Sequence, residues 1–218
     1  MKTKLISFAL ILILSVPLAI GQSSENGKMS FALLGGINFQ NLNGKDINGD
    51  KLANDMILGF HAGVNAQIPI APEFYFQPGL LFTTKGAKNA DGSSTKLSYI
   101  ELPLNMVYKA LVGNGKFMLG FGPYLGYAIG GKVIAANGSE ADIEFKNTID
   151  TETEDPTRIY RAFDAGGNIF AGYELPAGIF LQMNTQFGMV KINPDSGDSS
   201  NKTSIRNSGF GLSIGYRF

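Results

Sequence analysis

The sequence predicts an all-β protein: an eight-stranded antiparallel up-and-down transmembrane β-barrel with a cleaved N-terminal signal peptide. Three observations predict it. Eight segments alternate apolar with small or polar residues at a period of two, the repeat of an extended strand. The connections between them alternate long and short, as in barrels whose loops face outward and whose turns face the periplasm. The last segment sets Phe210, Leu212, Ile214, Tyr216 and Phe218 against Gly211, Ser213, Gly215 and Arg217. A barrel needs such a strand there, because the final strand pairs with the first to close the sheet.

The N-terminus reads as a separate object. Lys2 and Lys4 form a short basic region, Leu5 to Ile20 is almost wholly apolar, and Ala19-Ile20-Gly21 supplies small residues before Gln22. This is the pattern of a secretory signal, residues 1–21, followed by a barrel domain at 22–218. The alternative, an anchor helix, needs roughly 20 apolar residues, and this run is shorter.

Of 218 residues, 28 are Gly, 16 Phe and 8 Tyr, a composition that favours strands and turns. Lys plus Arg and Asp plus Glu both number 18, so there is no basic excess to suggest nucleic-acid binding. The absence of Cys excludes disulfides and thiolate metal sites.

The strands are expected at about 29–39, 57–70, 74–85, 97–109, 116–130, 160–175, 178–190 and 205–218. In the second, Phe60, Ala62, Val64, Ala66 and Ile68 oppose Gly59, His61, Gly63, Asn65 and Gln67. In the fifth, Phe117, Leu119, Phe121, Leu125, Tyr127 and Ile129 oppose Gly120, Gly122, Tyr124, Gly126 and Ala128. Long connections fall at about 40–56, 86–96, 131–159 and 191–204. Eight strands leave an interior just wide enough for side chains. The small polar face fits that interior, and the face of Phe, Leu and Ile fits lipid. Tyr108, Tyr127, Tyr173 and Tyr216 sit near the ends of oily faces, where aromatic girdles belong.

Tyr99-Ile100-Glu101-Leu102-Pro103-Leu104 followed by Gly120-Phe121-Gly122-Pro123-Tyr124-Leu125-Gly126-Tyr127 resembles the PorT-like outer-membrane β-barrel family of Bacteroidota. Gly35-Gly36-Ile37-Asn38-Phe39, Ala171-Gly172-Tyr173-Glu174-Leu175 and Gly215-Tyr216-Arg217-Phe218 extend the resemblance over the mature chain. It implies a small barrel in a Gram-negative outer membrane, and a link to protein secretion in the branch that names the family. It carries over no active-site motif. In resembling barrels a terminal aromatic is read by the barrel-assembly machinery, which would make Tyr216 and Phe218 an assembly signal.

The candidate interior residues are charged. Glu101, Asp164, Glu174 and Arg217, with Lys85, Lys109 and Arg161, are expected to point inward. His61, the one histidine, joins them. Buried charges must be paired, so these residues are expected to form a polar network that fills the lumen. Arg217 is expected to close its periplasmic end, with Glu174 as the candidate partner. A charged ion path is the alternative, although open channels belong to barrels of about 16–18 strands.

Other motifs fail on spacing. Gly120-x-Gly122-x-x-x-Gly126 lies inside a strand and opens no helix, so it does not read as a nucleotide loop; its glycines would make room for inward residues such as Tyr124. Asp46-x-Asn48-x-Asp50 lacks the Gly and Glu of a calcium loop. Glu140, Asp142, Glu144, Asp150, Glu152, Glu154 and Asp155 make the third long loop acidic. They read as a solvated face, the alternative being a divalent-cation bridge to lipopolysaccharide.

The expected role is structural or interactive, through extracellular loops, with a possible accessory part in secretion. A narrow porin-like passage and, more remotely, an outer-membrane enzyme using His61 are the alternatives. No cofactor or metal is expected. The expected partners are outer-membrane lipid and lipopolysaccharide, the assembly machinery, and secretion or envelope proteins.

Overall fold

A computed structural model describes residues 28–150, 154–198 and 200–218. The predicted signal segment, 1–21, lies outside them. The chain forms β1 (Ser30–Lys45), β2 (Ile57–Ala71), β3 (Phe74–Lys88), β4 (Ser94–Val112), β5 (Gly115–Ile134), β6 (Glu140–Asp142), β7 (Glu144–Phe145), β8 (Ile159–Tyr160), β9 (Phe163–Glu174), β10 (Ile179–Gly188) and β11 (Ser204–Arg217).

Eight of these strands close a barrel: β1 to β5, then β9, β10 and β11, each antiparallel to its neighbours. The seam is β1 against β11, in register from Ala32 opposite Arg217 to Lys45 opposite Ser204. Phe218 extends the seam: its N–H donates to the Phe31 carbonyl at 2.9 Å, and the Phe31 N–H donates to its carbonyl at 3.1 Å. Closure leaves no unpaired barrel edge, the condition for a sheet to lie in hydrocarbon.

Sequence parity decides which face is out. Phe121 is 61% exposed, Leu181 57%, Met183 63% and Ile214 58%. A soluble domain does not display a continuous belt of this kind. The partner faces of the same strands are buried, from Asn38 and Gln40 on β1 to Ser213 on β11. Girdles mark both ends of the belt. Phe74 packs on Tyr108 near the short turns, with centroids 5.1 Å apart; Phe39 stacks on Phe210 nearer the long loops, at 5.0 Å.

The short connections at 72–73, 113–114 and 175–178 lie at one end. Gly178 must be glycine: its φ is +86°, and a Cβ there would lie 2.4 Å from the Arg217 carbonyl oxygen. The long connections, 46–56, 135–162 and 189–203, lie at the other end. The expected long loop at 86–96 shrinks to 89–93, because β3 and β4 continue pairing up to Lys88 opposite Ser94. At 19 and 20 residues, β4 and β5 are about twice the 9–11 residues that cross a bilayer. They stand above the membrane as a wall, on which β6 adds a further strand. The sixth expected strand, 160–175, begins only at Phe163; Ile159–Tyr160 pairs instead in parallel with Glu144–Phe145 inside the loop.

The interior is not only small and polar. One apolar cluster, Ala32, Val107, Met118, Phe170 and Phe180, fills the lumen toward the short turns. Another, including Leu42, Leu97, Tyr99, Tyr160 and Ile192, closes the end beneath the long loops. Inward glycines accept the large rings. A Cβ on Gly120 would lie 2.2 Å from the Phe170 ring, and one on Gly215 would lie 2.2 Å from the Phe180 ring. Tyr124 is accommodated by Gly166 rather than by the glycines of its own strand.

Candidate functional site

The charged interior residues separate into two layers, where the sequence suggested a single network. Near the short turns, Lys109 Nζ donates to Glu174 Oε1 and Oε2 at 2.9 and 2.8 Å. Arg217 Nε donates to Glu174 Oε2 at 3.0 Å. Lys109 also donates to Gln67 Oε1 at 3.0 Å. Three strands supply the charges: β4 brings Lys109, β9 Glu174 and β11 Arg217. Arg217 lies over the Phe180 ring, 5.6 Å from its centroid, so the aromatic of the intervening strand β10 floors the ion pair.

Nearer the long loops, Lys85 of β3 is fully buried between Glu101 of β4 and Asp164 of β9, ion-paired to both. Its ammonium sits 4.3 Å from the Tyr124 ring centroid and 5.4 Å from that of Tyr99. Asn207 Nδ2 donates to Asp164 at 2.9 Å, and Gln186 Nε2 donates to Glu101 at 3.1 Å. One cation against two carboxylates is balanced here by amide and hydroxyl donors, as a buried charge cluster requires.

Between the layers lies a cavity of about 50 Å³, lined by His61, Ser213, Asn38, Asn65, Asn105 and Asn168 among others. Asn38 Oδ1, Gln40 Oε1, Asn65 Oδ1 and Asn168 Oδ1 are buried without a protein donor. The volume suits about three or four waters.

His61 Nε2 lies 2.7 Å from Ser213 Oγ. The register explains the meeting: Gly36 of β1 stands opposite both His61 of β2 and Ser213 of β11, which sets the two side chains at one level of the lumen. A nucleophile needs a base oriented by a third group and a substrate able to reach it. Here no carboxylate hydrogen-bonds His61 among the described residues, and the two side chains are buried. Sequence reasoning placed both residues inside but did not join them; their shared opposition to Gly36 was the missing signal.

Arg161 does not enter the lumen. It lies in the loops, ion-paired with Asp195, which also takes Lys191. The reason is that the chain enters β9 only at Phe163, so Arg161 is outside the strand parity that suggested an inward position.

Three carboxylates of the acidic loop are ion-paired. Lys132 pairs with Glu140, and Lys146 with Glu144 and Glu154. Asp155 caps a 3-10 turn at Pro156–Arg158 by accepting from the Thr157 N–H. Glu152 lies outside the described residues. Among those described, no three His, Asp or Glu side chains converge as a metal site. The hydrogen bond from Lys191 and the charge of Arg161 hold the Asp195 carboxyl below the usual aspartate range. Tyr216 and Phe218 face outward at the turn end of the seam, their rings stacked with centroids 6.5 Å apart.

A closed eight-stranded sheet, an apolar belt with aromatic ends and a filled polar lumen define an integral outer-membrane β-barrel protein. The chain belongs to the outer membrane protein beta-barrel domain family, whose model matches residues 21–194. No curated protein matches the sequence. Among solved structures, Neisserial surface protein A is similar at 14% identity and a TM-score of 0.47, over 88% of this chain and 100% of that one. Ail, the attachment invasion locus protein of Yersinia pestis, in complex with the heparin analogue sucrose octasulfate, is similar at 12% and 0.40, over 87% and 99%. A major outer membrane protein from Thermus thermophilus is similar at 14% and 0.40, over 88% and 100%. These likenesses concern the barrel fold.

Proposed function

We propose that this barrel is a sealed outer-membrane anchor that presents its long loops to partners, and not a passage for solutes. The observation that carries the reading is the pair of ion-paired layers, Lys109–Glu174–Arg217 and Glu101–Lys85–Asp164, with only a cavity of about 50 Å³ between them. Two apolar clusters add to the obstruction. His61 and Ser213 serve as part of this packing, without catalysis.

Within the family, the Glu101-Leu102-Pro103-Leu104 and Gly122-Pro123-Tyr124 pieces favour the PorT-like branch of Bacteroidota, and with it an accessory part in protein secretion. The loop segment 135–162 is the contact surface, because it carries its own strands and ion pairs above the membrane. Tyr216 and Phe218 serve the assembly machinery during insertion.

The test is cross-linking in the native outer membrane, comparing the full chain with one in which 135–162 is replaced by a tight turn. The reading expects a specific envelope protein to be captured by the first and lost from the second. Equal capture by both would overturn the loop assignment.

A further inference from the structure

On the outside of β1 and β11 the residues change character in steps. Phe39 stands opposite Phe210, then Asn41 opposite Ser208, Asn43 opposite Arg206, and Lys45 opposite Ser204. Lys51, from the loop that follows β1, pairs directly with Lys45. The ladder thus passes from aromatic, through amide and hydroxyl, to cation.

The cations form no ion pair, although Asp46 and Asp50 adjoin Lys45 and Lys51 in the chain. Like charges directly opposite each other on a sheet repel. Among the described residues, no carboxylate lies within ion-pair distance of Lys45, Lys51 or Arg206. Asp46 in the same loop accepts from the backbone amides of Asn48 and Asp50, each at 2.9 Å. A second like-charge pair, Lys96 opposite Lys132, makes the contrast: there Glu140 meets Lys132 at 2.7 Å. The β1–β11 cluster is the one left open.

Its backbone stands just above the headgroup zone, and its side chains reach back toward it. Strands rise about 3.3 Å per residue and tilt about 45° in such barrels, which puts the Arg206 Cα roughly 9 Å, and the Lys45 Cα roughly 14 Å, above the Phe39–Phe210 girdle. The polar zone of each leaflet is roughly 5–7 Å thick, and the long stems of Lys and Arg reach back toward it. Arg adds a planar fork that grips phosphate with two hydrogen bonds.

We propose that Lys45, Lys51 and Arg206 form a binding site for the phosphate groups of outer-leaflet lipopolysaccharide, whose acyl chains lie along the Phe39–Phe210 face. The inference rests on the outer-membrane placement of the barrel and is independent of any partner of the 135–162 loop.

The test uses the full-length barrel refolded in detergent, with a heat-dependent shift in gel migration as the control for folding. Purified lipopolysaccharide is titrated against the wild type, the Lys45→Gln/Lys51→Gln/Arg206→Gln variant, and Lys116→Gln at the opposite end of the barrel. The triple variant should bind at least about tenfold more weakly and Lys116→Gln as the wild type does. Dephosphorylated lipopolysaccharide should bind the wild type as weakly as the intact form binds the triple variant. Unchanged binding by the folded triple variant, or equal binding of the dephosphorylated form, would overturn the site. Competition by phosphatidylglycerol vesicles as strong as that of lipopolysaccharide itself would overturn the assignment to the glycolipid.

Discussion

Lys109 and Glu174 meet inside the lumen over the intervening strand β5, the ammonium donating to both carboxylate oxygens at 2.9 and 2.8 Å, with Arg217 on the same carboxylate. One anion therefore holds two buried cations. Glu174→Gln leaves both unpaired, and breaking a buried pair by removing one partner costs about 3–5 kcal/mol. Urea unfolding of the barrel in lipid vesicles should show a loss of that order. Replacing Lys109, Glu174 and Arg217 together by apolar residues should cost much less, since no charge is then stranded. A Glu174→Gln barrel as stable as the wild type would contradict a stabilising role for the Lys109–Glu174–Arg217 layer.

Phe170 occupies the space that a side chain at Gly120 would take. Gly120→Ala should destabilise by about 1–3 kcal/mol through overpacking. Phe170→Leu opens a cavity by itself, but in the double variant it should relieve the clash. The two changes should therefore be non-additive by more than about 0.5 kcal/mol in a double-mutant cycle. Additive losses would mean that the ring and the glycine do not share that space.

Asp195 ties Arg161 and Lys191 together across two loops. Its carboxyl titrates below the ordinary value, chiefly because Lys191 hydrogen-bonds it and Arg161 adds its charge. A depressed pKa contributes stability that is present above the unfolded value, near pH 4, and is lost as pH falls through the folded value. Protection factors for hydrogen exchange in 189–203, corrected for the intrinsic pH dependence of amide exchange, should fall on acidification below about pH 4, while those of the barrel strands stay high. Asp195→Asn should show the lowered protection already at neutral pH. An acid response unchanged in that variant would place the effect on another group.

Phe218 exchanges two backbone hydrogen bonds with Phe31 at the seam. Deleting it should lower the yield of barrel found in the outer-membrane fraction, with the inserted remainder still showing the heat-dependent gel shift. Normal yield after deletion would count against Phe218 as an assembly signal.

The face of each strand residue follows from the sequence because the strand period is two. The buried positions of Glu101, Asp164, Glu174 and Arg217 need only that parity. Their pairing needs more. Lys85, Glu101 and Asp164 meet across three strands, a contact set by register and stagger, to which no local pattern points. His61 and Ser213 likewise require both registers around Gly36. Phe170 and Phe180 escaped the expectation of a small interior, because their space is supplied by glycines on neighbouring strands. The sequence pattern suggests a loop longer than 89–93 because Lys88 and Lys96 read as polar connection, whereas they face outward on strands that continue above the membrane.

The most direct test of a sealed lumen is single-channel recording of the refolded barrel in a planar bilayer. A sealed lumen gives no sustained open conductance in the wild type. Conducting events should arise only when both layers are dismantled, as in Lys109→Ala/Glu174→Ala/Arg217→Ala combined with Lys85→Ala/Glu101→Ala/Asp164→Ala. Robust, long-lived open channels in the wild type would contradict it.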